Sequence, residues 1–186
     1  EQLNAALGFK TSPVTGLWFN IYGGYQDLKN NLASAAIANY SGSYLQLLQG
    51  NMHNIYAGAE ASYSYKDIIS FTASGIYRDW KTAKTENNSG DQLLYYMPSF
   101  EANFKVDIRP VSSVLINLGY QHITREKIGN ERVDPVGNLY LGGSYEVFEG
   151  ISIYVRANNL LNKDYQYYPG YPTEGINFMG GVSFRF

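Results

Sequence analysis

Four tyrosines near the carboxyl end form the clearest candidate group for ligand contact. Tyr165, Tyr167, Tyr168 and Tyr171 stand among two prolines and a glycine in the segment 163–174. Rings beside turn-forming residues suit stacking on sugars or other flat ligands. The alternative is that these rings close the loop onto its neighbours or belong to an interfacial girdle. We predict a candidate ligand-binding loop at this segment.

A second polar and aromatic group lies earlier in the chain. Arg78, Asp79 and Trp80 are followed by Lys81 and Lys84. Together they form another polar and aromatic rim that could contact a ligand. The same structural alternative applies, so Arg78 and Trp80 are kept as candidate loop residues for ligand binding.

Catalytic chemistry has weaker support. Glu101, Lys105 and Asp107 are close enough for an acid–base group, but a ladder of charges on one polar strand face explains them better. His53 and His122 are the only histidines, lie far apart and lack metal-ligand spacing. With no cysteine there is no thiolate site. The sequence therefore predicts no enzyme, no metal site and no cofactor.

The composition narrows the class of protein. Charged residues are 16% of the 186 positions, against roughly 25% in soluble domains. A net charge of −2 argues against nucleic acid as a partner. No apolar run approaches the roughly 18 residues that a membrane-spanning helix needs. Because Glu1 starts directly in a strand-like pattern, we expect a removed leader or a piece of a longer chain.

The dominant sequence period is two, which indicates strands with unlike faces. Nine segments carry apolar or small uncharged residues at alternate positions, as in Ile55, Ala57, Ala59, Ala61 and Tyr63. The opposite face carries the charges, which are Lys10, Glu60, Arg78, Glu101, Lys105, Asp107, Glu146, Arg156 and Arg185. The fold class is predicted as all-β, an antiparallel up-and-down transmembrane barrel, with about nine to ten strands in this chain as part of a larger barrel.

The connections alternate in length. Short links are predicted at 11–16, 66–67, 109–112 and 148–150, and long polar links at 27–50, 79–92, 124–136 and 159–175. Short turns on one side and long loops on the other are typical of outer-membrane barrels. Within the first long link, 28–38 is predicted as a brief helix or a loop.

The period alone leaves the direction of the apolar face open. A soluble barrel would turn that face inward. Three features favour a barrel with lipid outside and a hydrated lumen inside. Aromatic residues lie near the strand ends, small residues lie on the apolar face, and the polar face is rich in Gly, Ser and Asn. Bacterial barrels have an even number of strands. An odd count therefore predicts an amino end lacking a strand, a tenth strand within 27–50, or two strands merged into one in the count.

The closing segment carries a family resemblance. The run from Ala157 to Tyr165, sequence ANNLLNKDY, resembles the penultimate strand and loop of TonB-dependent outer-membrane receptors. The chain then ends in GGVSFRF, with Val182, Phe184 and Phe186 at alternate positions. That ending is similar to the signal read by the barrel-assembly machinery. The sharp resemblance covers about the last thirty residues, and the remainder matches only as barrel pattern.

The resemblance implies that residues 1–186 form one outer-membrane barrel domain, the carboxyl-terminal portion of a receptor, without plug domain or TonB box. The implied function is TonB-dependent nutrient uptake, with a small ligand captured by extracellular loops. Implied partners are outer-membrane lipid, the assembly machinery and, only through missing amino-terminal parts, TonB. Two alternatives stay open: a self-standing small outer-membrane barrel with a structural or adhesive role, and a soluble ligand-binding barrel.

Overall fold

The computed structural model describes residues 3–39, 42–82, 94, 97–126, 134–168 and 171–185. Its strands are β1 (Leu3–Val14), β2 (Leu17–Asn39), β3 (Gly42–Tyr65), β4 (Ile69–Thr82), β5 (Pro98–Ile108), β6 (Val114–Arg125), β7 (Val136–Phe148), β8 (Ile151–Asn158), β9 (Gln166–Tyr168), β10 (Tyr171–Pro172) and β11 (Asn177–Phe184). Within these described ranges, no helix is long and apolar enough to cross a membrane.

Nine of the strands form one continuous antiparallel sheet. Its order is β1-β2-β3-β4-β5-β6-β7-β8-β11, so every strand except the last pairs with its neighbour in sequence. The short strands β9 and β10 form a separate two-stranded ribbon within the link between β8 and β11. The predicted fold class, an up-and-down antiparallel wall of an outer-membrane barrel, is confirmed.

Tight turns close one end of the sheet. Gly16 and Gly150 adopt φ of 83° and 79°, which only glycine reaches without strain. A side chain at Gly16 would also collide with the carbonyl of Ser64, whose amide donates to the Gly16 carbonyl at 2.8 Å. Lys66 and Asp67 both have positive φ between β3 and β4. These turns lie within the predicted short links, but the first link is shorter than the predicted 11–16 because β1 continues to Val14.

The predicted long link at 27–50 is wrong. The strands β2 and β3 run through it, pairing from Asn31↔Gly50 to Asn39↔Gly42 after a bulge between Leu28 and Asn31. The segment 28–38 is therefore strand, neither helix nor loop, and it hides no tenth strand. Its Ala- and Asn-rich sequence has low strand propensity, and the pairing across the hairpin provides the order that propensity does not.

One face of the sheet is apolar from edge to edge. Cross-strand register aligns Phe71, Val106, Leu118, Leu141 and Ala157, all predicted to face lipid. Outside the β2 bulge at 29–30, the charged residues on this face of the described strands are Asp27, Asp79 and Lys81, all at the end with long connections.

The height of this apolar face matches a bilayer. From Ile55 to Tyr65 on β3 the outward residues carry no charge. Ten steps of about 3.3 Å, tilted by about 40°, rise about 25 Å. That height equals the apolar band of transmembrane barrels, so the uncharged part of the outward face, from Ile55 to Tyr65 on β3, fits the lipid layer.

The opposite face is polar and pairs its own charges. Arg78 on β4 forms an ion pair with Glu101 on β5. On β5, Lys105 reaches Asp107 at 2.8 Å. These contacts support the charge-ladder interpretation of Glu101, Lys105 and Asp107.

Tyrosine rings lie flat against glycines on this polar face. A Cβ at Gly58 would strike the ring of Tyr22, and one at Gly24 would strike that of Tyr56. The two rings meet edge-on with centroids 6.5 Å apart. Ring and glycine thus interlock reciprocally between β2 and β3, which opposes slippage of the register.

We expect Leu118→Arg to destabilise the chain in a bilayer by about 2–4 kcal/mol, because the guanidinium would enter the apolar band near its middle. Asn103→Arg, on the polar face of β5, is the matched control and should cost far less. Urea unfolding in lipid vesicles measures both. Equal costs would show that the face assignment is wrong.

Candidate functional site

The first candidate site is the link between β8 and β11, residues 159–176, here called the rim loop; the structure describes it except for residues 169–170. Asn159 organises it. Its Nδ2 donates to the carbonyls of Lys163 at 2.9 Å and Glu174 at 3.0 Å, and its Oδ1 accepts from the Lys163 amide at 3.1 Å. Asn159 is 1% exposed, so these bonds are shielded from water. One side chain therefore ties the two halves of the loop together.

Further bonds hold the base of the rim loop. The Asn159 amide donates to Asn138 Oδ1 on β7 at 2.9 Å. Asn162 Oδ1 accepts from the Ile176 amide at 3.2 Å. Asn159 and Asn162 have φ of 51° and 47°, a left-handed conformation that asparagine tolerates well. The Asn-rich sequence of this segment thus has a direct structural reason.

The rim loop crosses the polar face of β7 and docks on β6. Arg125 Nη2 donates to the carbonyls of Gln166 at 2.9 Å and Tyr167 at 3.1 Å. The hydroxyl of Tyr167 donates to Gln121 Oε1 at 2.7 Å. Both anchoring side chains belong to the polar face of β6. The loop is therefore folded inward, over the surface that a lumen would present.

The four predicted tyrosines take different positions. Tyr165 is buried at 4% exposure and meets the Tyr167 ring edge-on at 5.5 Å. Tyr167 is half-buried, and its hydroxyl is hydrogen-bonded to Gln121. Tyr171 is 75% exposed, and its backbone pairs with that of Tyr168. Tyr171 thus presents its ring to solvent, while Tyr165 closes the loop on itself. The side chain of Tyr168 lies outside the part of the chain that the structure describes.

The second predicted group is divided between two environments. Arg78 lies on the polar face, bound to Glu101. Trp80 is 8% exposed, donates from Nε1 to the Pro98 carbonyl at 2.9 Å and packs on Met52. The structure places Trp80 in a small apolar core at the end of β4 and Arg78 on the wall below it.

Sequence reasoning missed the residues that position the rim loop. Arg125 and Gln121 sit in β6 about forty residues before their partners, and no local pattern links them to the loop. Asn159 was recognised only as part of a motif. Consecutive asparagines after a strand were the available signal, since asparagine favours left-handed turns.

The predicted assembly signal is described in part. Val182 and Phe184 are 53% and 60% exposed on the outward face of β11. Phe186 lies outside the described residues.

Acidic and basic side chains at the rim affect one another's charge state. Burial raises the pKa of the Glu126 carboxyl, and repulsion from Asp79 adds to the rise. Asp79 itself pairs with Lys81 at 2.9 Å. In the described part of the chain no three acidic, histidine or cysteine side chains are grouped to hold a metal. The arrangement is suited to non-covalent contact by rings and hydrogen-bonding groups.

The fold is similar to solved outer-membrane transporters and receptors. The copper transporter OprC matches with a TM-score of 0.70 at 18% identity, over 98% of this chain and 31% of that one. The FrpB iron transporter from Neisseria meningitidis matches with a TM-score of 0.70 at 15% identity, over 98% and 30%. A mutant of the ferric enterobactin receptor PfeA from Pseudomonas aeruginosa gives 0.67 at 14%, over 98% and 31%.

These identities show the fold. The chain spans about a third of the length of these three structures. No protein-family model and no curated protein matches the sequence. The barrel expected from the closing segment is confirmed at the level of architecture.

We expect Asn159→Ala to open the rim loop, because it leaves the Lys163 and Glu174 carbonyls and the Lys163 amide without their partner. The loss should be about 1–3 kcal/mol of local stability. Hydrogen exchange of residues 163–174 measures it, with Leu161→Ala as control. Unchanged exchange in Asn159→Ala would contradict the bracing role.

The rim loop should also loosen in strong alkali. Burial, followed by the neighbouring Tyr167, raises the pKa of Tyr165 to about 12. An undocked loop ionises this phenol near its ordinary value of about 10, so the docked loop holds the extra proton between those values. Docking is therefore fully stable below about pH 10 and weakens as the pH rises through about 12.

Tyr165→Phe cannot ionise and should remove this pH dependence. Hydrogen exchange or proteolysis of the rim loop across the alkaline range measures the effect. A variant that loosens over the same range as the parent protein would show that another group is responsible.

Proposed function

We propose that this chain forms part of the barrel wall and outer rim of a bacterial outer-membrane receptor that takes up a scarce nutrient with energy from TonB. The ligand is captured at the extracellular end and passes along the polar face of the sheet. TonB acts through parts of the protein other than these residues. The ligand is a small molecule or ion complex.

The observation that carries this proposal is the rim loop folded inward over a polar wall. A loop in this position meets any solute that enters along the lumen face. Arg125, Gln121 and Asn159 hold it in place before a ligand arrives, which lowers the ordering cost of binding. Solved proteins of similar fold include a copper transporter, an iron transporter and a ferric enterobactin receptor.

Some of the predicted site residues contact the ligand, and others support the rim that carries them. Tyr171, exposed at the loop's tip, is the ligand-contacting ring, with Tyr167 and Tyr168 beside it in the chain. Tyr165 and Trp80 are buried and support the rim. Arg78, bound to Glu101, lines the wall that the ligand passes.

Assembly into the outer membrane follows from the last strand. Val182 and Phe184, with Phe186 at the end of the chain, form the segment that the barrel-assembly machinery would read. Their alternation puts apolar side chains on the lipid side of β11. Lipid then solvates the whole outward face.

Uptake by cells that produce the whole receptor tests the function. The probes are copper(II), ferric enterobactin, cobalamin and a malto-oligosaccharide, each measured with and without a protonophore. We expect uptake of one probe that stops when the proton gradient collapses. Tyr171→Ala should weaken binding of that probe about three- to tenfold through the loss of ring contact.

The control is Tyr65→Ala, an equally sized change at the opposite end of the sheet, where Tyr65 is 47% exposed. It should leave binding unchanged. Protonophore-insensitive uptake of every probe, or equal losses in the two variants, would reject the proposal.

A further inference from the structure

A basic and aromatic cluster lies on the outward face at the end with long connections. It centres on Gly137 in β7, which pairs across the strands with His122 in β6. A Cβ at Gly137 would lie 3.3 Å from the Tyr120 hydroxyl and 3.9 Å from Lys163 Cδ. Both side chains therefore fold over this glycine, beside His122. Residues that are distant in sequence meet here outside the lumen.

The backbone of Lys163 is fixed within this cluster. Its amide and its carbonyl both bond to the buried side chain of Asn159, at 3.1 and 2.9 Å. The stem of Lys163 then runs outward across Gly137 while the residue stays exposed. Because the backbone of Lys163 is already fixed, binding of an anion to its ammonium group costs little additional ordering of the chain.

Aromatic rings hold His122 in the same cluster. Its ring stacks on Tyr120 with an interplanar angle of 20° and a centroid distance of 6.3 Å. Phe100 stands on the other side, also at 6.3 Å. Rings of this kind belong to the boundary between acyl chains and headgroups.

The height of the cluster places it at the headgroups. From Gly137 to Val147 the outward positions of β7 are uncharged. Ten steps of tilted strand rise about 25 Å, the height of the apolar band. The cluster is thus continuous with the lipid face and stands at its outer border.

The other histidine offers an internal comparison. His53 lies 5.9 Å from Tyr25 and pairs across the strands with Asp27 and Lys81. The carboxylates of Asp27 and Asp79 balance the positive charge at that site, and Lys81 forms an ion pair with Asp79 at 2.9 Å. No ion pair joins Lys163 to a carboxylate among the described residues. Charge complementarity therefore favours an anion at Lys163 and not at Lys81.

We propose that Lys163, His122 and Tyr120 bind the phosphate of a membrane lipid headgroup at the outer border of the lipid face. The ammonium supplies the charge, and the imidazole and the phenol supply hydrogen bonds to phosphate oxygens. The lipid's acyl chains lie along the uncharged surface below. This site depends on the lipid-facing assignment and is independent of ligand uptake.

The test uses the full chain in uncharged detergent micelles and a fluorescent phosphatidic acid as the probe, with binding followed by anisotropy. Lys163→Gln should weaken binding about fivefold, the effect of one surface cation on an anionic lipid. Lys163→Arg should keep the affinity, and so should the matched control Lys81→Gln. Heat-modifiable mobility on gels confirms that each variant is folded.

Three competitors decide which part of the lipid is recognised. Unlabelled phosphatidic acid should displace the probe, whereas oleate and inorganic phosphate at equal concentration should not. Displacement by oleate would show attraction to any anionic amphiphile, and displacement by inorganic phosphate would show a free-anion site. Either result, or equal affinities of Lys163→Gln and the parent chain, would overturn the proposal.

Discussion

The rest of the structure depends on backbone hydrogen bonding in a medium that offers none. Acyl chains cannot bond to N–H or C=O groups, so a chain that crosses lipid must satisfy them within itself. Here nine strands do so by pairing side by side in one antiparallel sheet, in which every strand between the edges β1 and β11 has a partner on both sides. The same medium excludes charge from the outward face, which leaves the polar side chains for the other face.

That division explains how the two faces are built. Outward residues need only be uncharged, so alanine and glycine stand beside large side chains without harm. The polar face must satisfy its own groups, and it does so with ion pairs such as Arg78–Glu101 and with tyrosines laid over glycines. At the rim, beyond the apolar band, the chain no longer has to form strands. There the buried side chain of Asn159 organises a loop that turns back over the polar face.

The sequence predicted the strands well because alternation is enforced at each residue by the difference between lipid and water. The prediction was wrong at 27–50, where the hairpin of β2 and β3 continues beyond the other strands and the alternation of apolar and polar residues is lost. The site was predicted in part. Four tyrosines in one loop were visible in the sequence, but their separation into a buried Tyr165 and an exposed Tyr171 depends on Arg125, Gln121 and Asn159. Those contacts arise from distant segments, so no local pattern carried them.

The central claim is that one face of the sheet touches lipid and the other touches water. Because the chain has no cysteine, an environment-sensitive fluorophore can be attached to a single cysteine introduced at Leu118 or, separately, at Asn103. In vesicles, the label at Leu118 should be quenched by bromine on lipid acyl chains, and the label at Asn103 by iodide in water. The reverse pattern, or iodide quenching of both labels alike, would contradict the account.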